Sequence, residues 1–180
     1  KIGETDYVSG RIDGSFPAET FTQPQVMRLL LPHDLSLPSE SEWEHACRAG
    51  SETPWWTGLD RESLRGHANL ADQTAKSRGA PWPAIQDWPD LEDGFVVQGP
   101  VDSLPFNPWG LYHVHGNLSE WCSNRYRWNP EEPGSAGYGC RGGSFYLAAD
   151  HARSSFRANY DTAYNHVGAR AYRPLVWPED

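Results

Sequence analysis

The chain has 180 residues, 38% of them hydrophobic and 22% charged, a globular composition within the usual size of one domain. Fifteen basic against 24 acidic residues leave a net charge of −9, which provides no electrostatic footprint for nucleic acid or an anionic membrane. The apolar run Leu29–Leu31 stops at Pro32 and no apolar run approaches the length of a bilayer, so no membrane span is predicted. Nine Trp, eight Tyr and six Phe stand beside 17 Gly and 15 Pro, which predicts short elements joined by long ordered loops. The sequence opens Lys1-Ile2-Gly3 without an initiator Met or an apolar leader, and we expect a trimmed, mature or excised piece with cytoplasm the favoured compartment.

In chain order, Thr22-Gln23-Pro24-Gln25 predicts the start of a helix with Val26, Leu29 and Leu30 on one face. Ser39-Glu40-Ser41-Glu42 reads as a capping box, followed by Trp43, Ala46 and Cys47 at helical spacing and by Gly50, so a second helix is predicted over residues 40–49. Between 51 and 110 the periodicity disappears into interleaved prolines and tryptophans, a stretch that buried tryptophans or bound cations must hold. Short strands are predicted at Leu111–Val114, Glu120–Ser123, Cys140–Ser144 and Gly168–Tyr172. On such a strand His113 and His115 would share a face. Cys47, Cys122 and Cys140 have no metal-ligand spacing and read as buried thiols, with a Cys122–Cys140 bridge left open. The class is α+β: two short helices, a small antiparallel sheet and many ordered loops, in a single domain over 1–180.

Several blocks together are specific. Leu-Ser-Leu-Pro-Ser-Glu-Ser-Glu-Trp-Glu-His-Ala-Cys-Arg-Ala-Gly spans 35–50, and Asn-Pro-Trp-Gly-Leu-Tyr-His-Val-His-Gly-Asn-Leu-Ser-Glu-Trp-Cys spans 107–122. Cys-Arg-Gly-Gly-Ser-Phe follows at 140–145, Ala-Arg-Ser-Ser-Phe-Arg at 152–157 and Val-Gly-Ala-Arg at 167–170. In order and spacing the chain resembles the formylglycine-generating-enzyme (sulfatase-modifying factor) domain, a version of the C-type-lectin fold. The resemblance covers about residues 20–175, with 1–16 divergent or truncated. It implies that Arg141, Gly142, Gly143, Ser144, Arg153, Gly168 and Arg170 are scaffold residues.

Enzymes of that family oxidise a substrate cysteine with copper held by two cysteines, and the matching positions here are Leu147 and Ala152. Neither supplies the soft sulfur that Cu(I) needs, so no copper and no catalysis are expected. The alternatives are a divergent oxidase, a partner domain of an iron sulfoxide synthase whose histidines lie elsewhere, and a structural module of a larger bacterial signalling protein. The resemblance further implies a structural calcium on Asn69, the Leu70 carbonyl, Asp93 and the Phe95 carbonyl, all hard oxygen donors. A second family site would fall on His113, Gly116, Leu118 and Glu120; an imidazole is a poor calcium ligand, and Glu120 reads as a structural hydrogen-bonding residue.

Within this fold, the variable proteins of diversity-generating retroelements randomise a C-terminal segment at template adenines, a process that never yields Glu, Lys, Gln, Trp or Met. Those five types account for 29 of the 180 residues, so a random stretch of 25 holds about four, yet Gly142–His166 has none. The region 140–175 is therefore read as a variable ligand-binding surface. The expected contacts are Tyr146, Leu147, Asp150, His151, Ser155, Phe156, Asn159, Tyr160, Asp161, Tyr164, Asn165 and His166, with Phe145 assignable either way. This mixture of Tyr, Asn, Ser and His is the vocabulary of antibody-like surfaces and predicts a protein or peptide ligand, with the aromatics at the centre.

Overall fold

The computed structural model describes residues 14–127, 131 and 136–173. Helix α1 (Gln23–Leu30) starts at a reciprocal cap: the Gln25 amide donates to Thr22 Oγ1, and the Thr22 amide donates to Gln25 Oε1 at 2.8 Å. Val26 is buried and Leu30 packs beside it, whereas Leu29 is 59% exposed, so the apolar face is narrower than its sequence pattern. Helix α2 (Glu40–Arg48) has the same cap, the Glu42 amide donating to Ser39 Oγ and the Ser39 amide to Glu42 Oε2 at 2.7 Å. Trp43 and Cys47, one turn apart, turn inward, and the chain leaves the helix through left-handed Ala49 and Gly50.

The irregular region is held by side chains, as its composition requires. Trp55 and Trp88 bury against Leu64, Leu70 and Leu91, while Trp109 stays 51% exposed. A short helix α3 (Gln73–Ser77), which has too few residues to show a period, starts where Asp72 Oδ1 accepts the Ala75 amide at 2.8 Å. Buried Asn107 donates to the Ala46 and Cys47 carbonyls at the end of α2 and accepts the Trp109 and Leu111 amides, stitching the loop to the helix.

The strand predicted at Leu111–Val114 does not form. His113 (φ 51°) and Asn117 (φ 64°) are left-handed, which breaks extended pairing. His113 and His115 consequently share no strand face: His113 Nε2 meets the Pro100 carbonyl at 2.9 Å, and His115 Nε2 accepts the Trp56 amide at 3.1 Å.

The sheet contains β1 (Ser119–Arg127), β2 (Ala136–Arg141), β3 (Ala158–Tyr160) and β4 (Val167–Gly168), in the order β3-β2-β1-β4. The pairs β1–β2 and β2–β3 are antiparallel as expected, but β4 runs parallel to β1, so the sheet is mixed. Strand β2 stops at Arg141 because Gly142 (φ 93°) and Gly143 (φ 72°) turn the chain away, and of the last predicted strand only Gly168 joins the sheet, in β4, while Tyr172 bridges to Ser36. Trp121, Cys140 and Val167 pack on one face with Val26 and Leu37; Cys122 packs on the other with Trp43, Cys47 and Val114. Because strand residues alternate, Cys122 and Cys140 point to opposite faces, and all three thiols are free.

One buried charge cluster ties these layers together. Arg141 donates from Nε to Glu40 (3.1 Å), from Nη2 to Glu44 (3.0 Å), and from Nη1 to the Ser154 and Phe156 carbonyls. Arg157 completes the carboxylate shell of Glu40 at 2.6 and 2.7 Å, while Arg153, expected to be scaffold, is exposed and bonds the Asp150 carbonyl. Removing one partner of a buried pair strands the other charge, so Glu40→Ala is expected to cost about 3–5 kcal/mol in urea unfolding, against little change for exposed Glu62→Ala.

Candidate functional site

The site is built where Gly142 and Gly143 release the chain from β2. Leu147, at one of the positions where a copper thiol was sought, is half-buried, its amide donating to the Ser144 carbonyl and its carbonyl accepting the Ala71 amide at 3.1 Å. Ala152, at the other, is fully buried among Trp55, Leu64 and Leu70. The thiols of Cys47, Cys122 and Cys140 are buried elsewhere and held protonated by burial, that of Cys47 pushed up to about 12. The donor set does not fit a copper ion.

The sequence-predicted contact residues divide into groups. Tyr146, Tyr160, Tyr164 and His166 form one aromatic cluster: Tyr146–His166 centroids are 4.6 Å apart, Tyr160–Tyr164 5.1 Å, Tyr164–His166 5.1 Å and Tyr160–His166 5.4 Å. Tyr146 Oη lies 3.4 Å from His166 Nε2. Tyr164 is exposed, and Tyr146 and Tyr160 are half-buried. His166, expected to face solvent, is instead the buried floor, because its carbonyl accepts the Ser119 amide where β4 joins β1.

His151 and Phe156 pair separately at 4.8 Å, with His151 Nδ1 buried and unpartnered. Asp150, Ser155 and Asp161 are exposed; Asn165 is half-buried; and half-buried Asn159 donates to the Tyr126 carbonyl at 3.4 Å. Sequence reasoning missed Trp82, whose ring packs 6.2 Å from Tyr146 and 5.4 Å from buried Phe145. Its only signal was membership of the Trp-rich loop, since no local period links it to residue 146.

Asn69, Leu70, Asp93 and Phe95 come together. Asp93 Oδ2 accepts the Leu70 amide and Oδ1 the Phe95 amide, each at 2.8 Å. Asn69 Nδ2 donates to the Val97 carbonyl and to Asn117 Oδ1, while Asn69 Oδ1 is buried with no partner. Asp72, missed in the sequence, faces the same point: its Oδ2 accepts the Asp93 amide at 2.7 Å. Burial, then the charge of Asp72, pushes the Asp93 carboxyl up to about 8. A buried, unpartnered amide oxygen at Asn69, next in the chain to the Leu70 amide that half-buried Asp93 accepts, fits a hard cation held by Asn69 Oδ1, Asp93 and main-chain carbonyls. At the second location Glu120 accepts Trp43 Nε1 at 2.7 Å and both Arg170 nitrogens, so its charge is already matched.

Buried imidazoles contribute to the acid response, His113 among them, its pKa lowered by burial. Burial lowers His115 to about 3 and His166 to about 4, from 6.5. Below 6.5 the unfolded chain binds protons on these imidazoles that the folded chain refuses, so the stability that the neutral rings contribute is full above that value and is lost as pH drops toward 3–4. Urea midpoints should decline over this window, and His166→Phe should decline less steeply than the parent chain.

No helix among the described residues is long and apolar enough to cross a membrane. The profile of the sulfatase-modifying factor enzyme 1-like domain matches residues 10–175. Formylglycine-generating enzyme of Mus musculus is 31% identical over 122 residues, covering 62% of this chain and 30% of that protein, so the chain spans under a third of that relative. PvdO from Pseudomonas aeruginosa has the same fold, with a TM-score of 0.70 at 24% identity over 92% of this chain and 64% of PvdO. Treponema denticola variable protein 1 superposes with a TM-score of 0.64 at 19% identity, over 92% of this chain and 74% of that one. With its profile matched from residue 10 to 175 and its architecture shared with these structures, the chain belongs to the sulfatase-modifying factor (formylglycine-generating-enzyme) domain family.

Proposed function

We propose that this domain is a non-catalytic binding module that displays the segment 140–175 on a C-type-lectin scaffold. The observation that carries the reading is the hydrocarbon at Leu147 and Ala152, with the Tyr146–Tyr160–Tyr164 cluster rising from the same segment. The absence of Glu, Lys, Gln, Trp and Met from Gly142–His166, together with a fold shared with a variable protein, supports diversification by a retroelement. A protein or peptide suits this surface better than a small metabolite, because half-buried rings give broad, rigid contact area at low entropic cost.

Three results test the reading. With a cysteine-containing peptide, dioxygen and Cu(I), oxygen uptake should equal the protein-free blank; turnover above it would restore the oxidase alternative. A partner captured by the domain should be lost from Tyr160→Ala/Tyr164→Ala, and retention would move binding away from this face. The coding DNA should lie near a reverse transcriptase and a near-copy of codons 140–175 that differs at adenines; an isolated gene would remove the retroelement assignment.

Calcium is proposed as a structural ion at Asn69, Leu70, Asp93 and Phe95, where it would neutralise the Asp72–Asp93 pair and clamp both ends of the irregular region. It has no role in chemistry. An ion that binds only the folded chain raises stability, so a chelator should lower Tm by several degrees and calcium should restore it. Asp93→Asn should abolish that response; a chelator-insensitive Tm would dismiss the ion.

A further inference from the structure

Tyrosine rings on this sheet already receive guanidinium groups from the chain itself. Arg157 Cζ sits 3.9 Å above the Tyr126 ring, and Arg125 Cζ 4.5 Å above Tyr138. Tyr138 is the register partner of Tyr160, so the next ring along the sheet belongs to the aromatic cluster. Among the described residues no arginine or lysine covers Tyr160 or Tyr164. The series of tyrosine platforms thus ends in an uncapped one, of which Tyr164 is the exposed member.

The charges around this platform select the sign of its ligand. Exposed Asp161 directly follows Tyr160, and the whole chain carries −9. His166 brings no compensating positive charge near neutral pH, since burial holds it unprotonated. The Tyr146 hydroxyl lies 3.4 Å from buried His166 Nε2, so it is turned to the floor of the cluster rather than to a ligand. Arg157 is already bound on both nitrogens by Glu40.

We propose that the Tyr160–Tyr164 platform, with exposed Asp161 next to Tyr160 in the chain, recognises an arginine side chain on an exposed peptide segment of the partner. This deepens the binding-module reading and rests on it. A guanidinium stacks flat on a ring while offering edge hydrogens to a carboxylate, a combination that a compact ammonium matches less well. Acidic partners are disfavoured by the net charge of the chain.

The probe is a Gly/Ser peptide carrying one arginine, titrated by NMR beside the same peptide with citrulline, which keeps the shape and removes the charge. The arginine peptide should bind at least about fivefold more tightly than the citrulline one. Tyr164→Leu should erase that ratio, Tyr164→Phe should preserve it, and Asp161→Asn should reduce it about twofold. Tyr164 is exposed, so these variants fold; an unchanged amide spectrum away from the site confirms it for each. Equal binding of the two peptides, or an arginine preference that survives Tyr164→Leu, overturns the proposal. A displayed random-peptide library separates its failure from that of the wider reading. Enrichment of neutral or acidic peptides that Tyr164→Leu releases overturns the arginine assignment alone. A library that yields no retained peptide overturns both.

Discussion

The guanidinium of Arg141 is almost wholly buried where a helix, a strand and a loop meet, and the geometry of the site depends on how its charge is satisfied. Two carboxylates come from α2, while the Ser154 and Phe156 carbonyls come from the segment that carries the candidate contacts. A buried charge of this kind tolerates little displacement, because each lost partner leaves a desolvated group behind. Gly139 shows the same tightness from the other side: a side chain there would collide with the Glu40 carboxylate. The C-terminal segment is thereby fastened through the Ser154 and Phe156 carbonyls, while Asp150, Ser155, Asp161 and Tyr164 stay exposed on it.

That division of labour lets irregular chain act as a rigid support. Asparagines take over the role of the missing ladders: Asn107 ties a loop to the end of α2, while Asn117 Oδ1 accepts both Asn69 Nδ2 and the Gly99 amide. Gly116 is required at its place, with φ 77° and no room for a side chain against the Asn69 carbonyl. Beneath the surface Trp55 and Trp88 supply the packing that secondary structure does not.

The family relation and the altered site are compatible, because a fold carries function only through the side chains set on it. Here the scaffold blocks persist, while the two positions that the family resemblance matches to cysteines hold Leu147 and Ala152, the latter absorbed into the core.

The two main helices and their caps, the α+β class and the burial of the thiols were legible in the sequence, since capping boxes, helical spacing and short specific blocks are local codes read within a few residues. The parallel pairing of β4, the failure of the strand at Leu111–Val114 and the separation of Cys122 from Cys140 were not. Each depends on contacts between residues far apart in the chain, or on left-handed backbone at His113 and Asn117 that their side chains do not announce. The same holds at the site. Composition marked Tyr146, Tyr160 and Tyr164, but only the tertiary structure placed His166 beneath them, brought in Trp82 and set Asp72 against Asp93. Local propensity is written in neighbours along the chain, whereas a binding surface is an arrangement of neighbours in space.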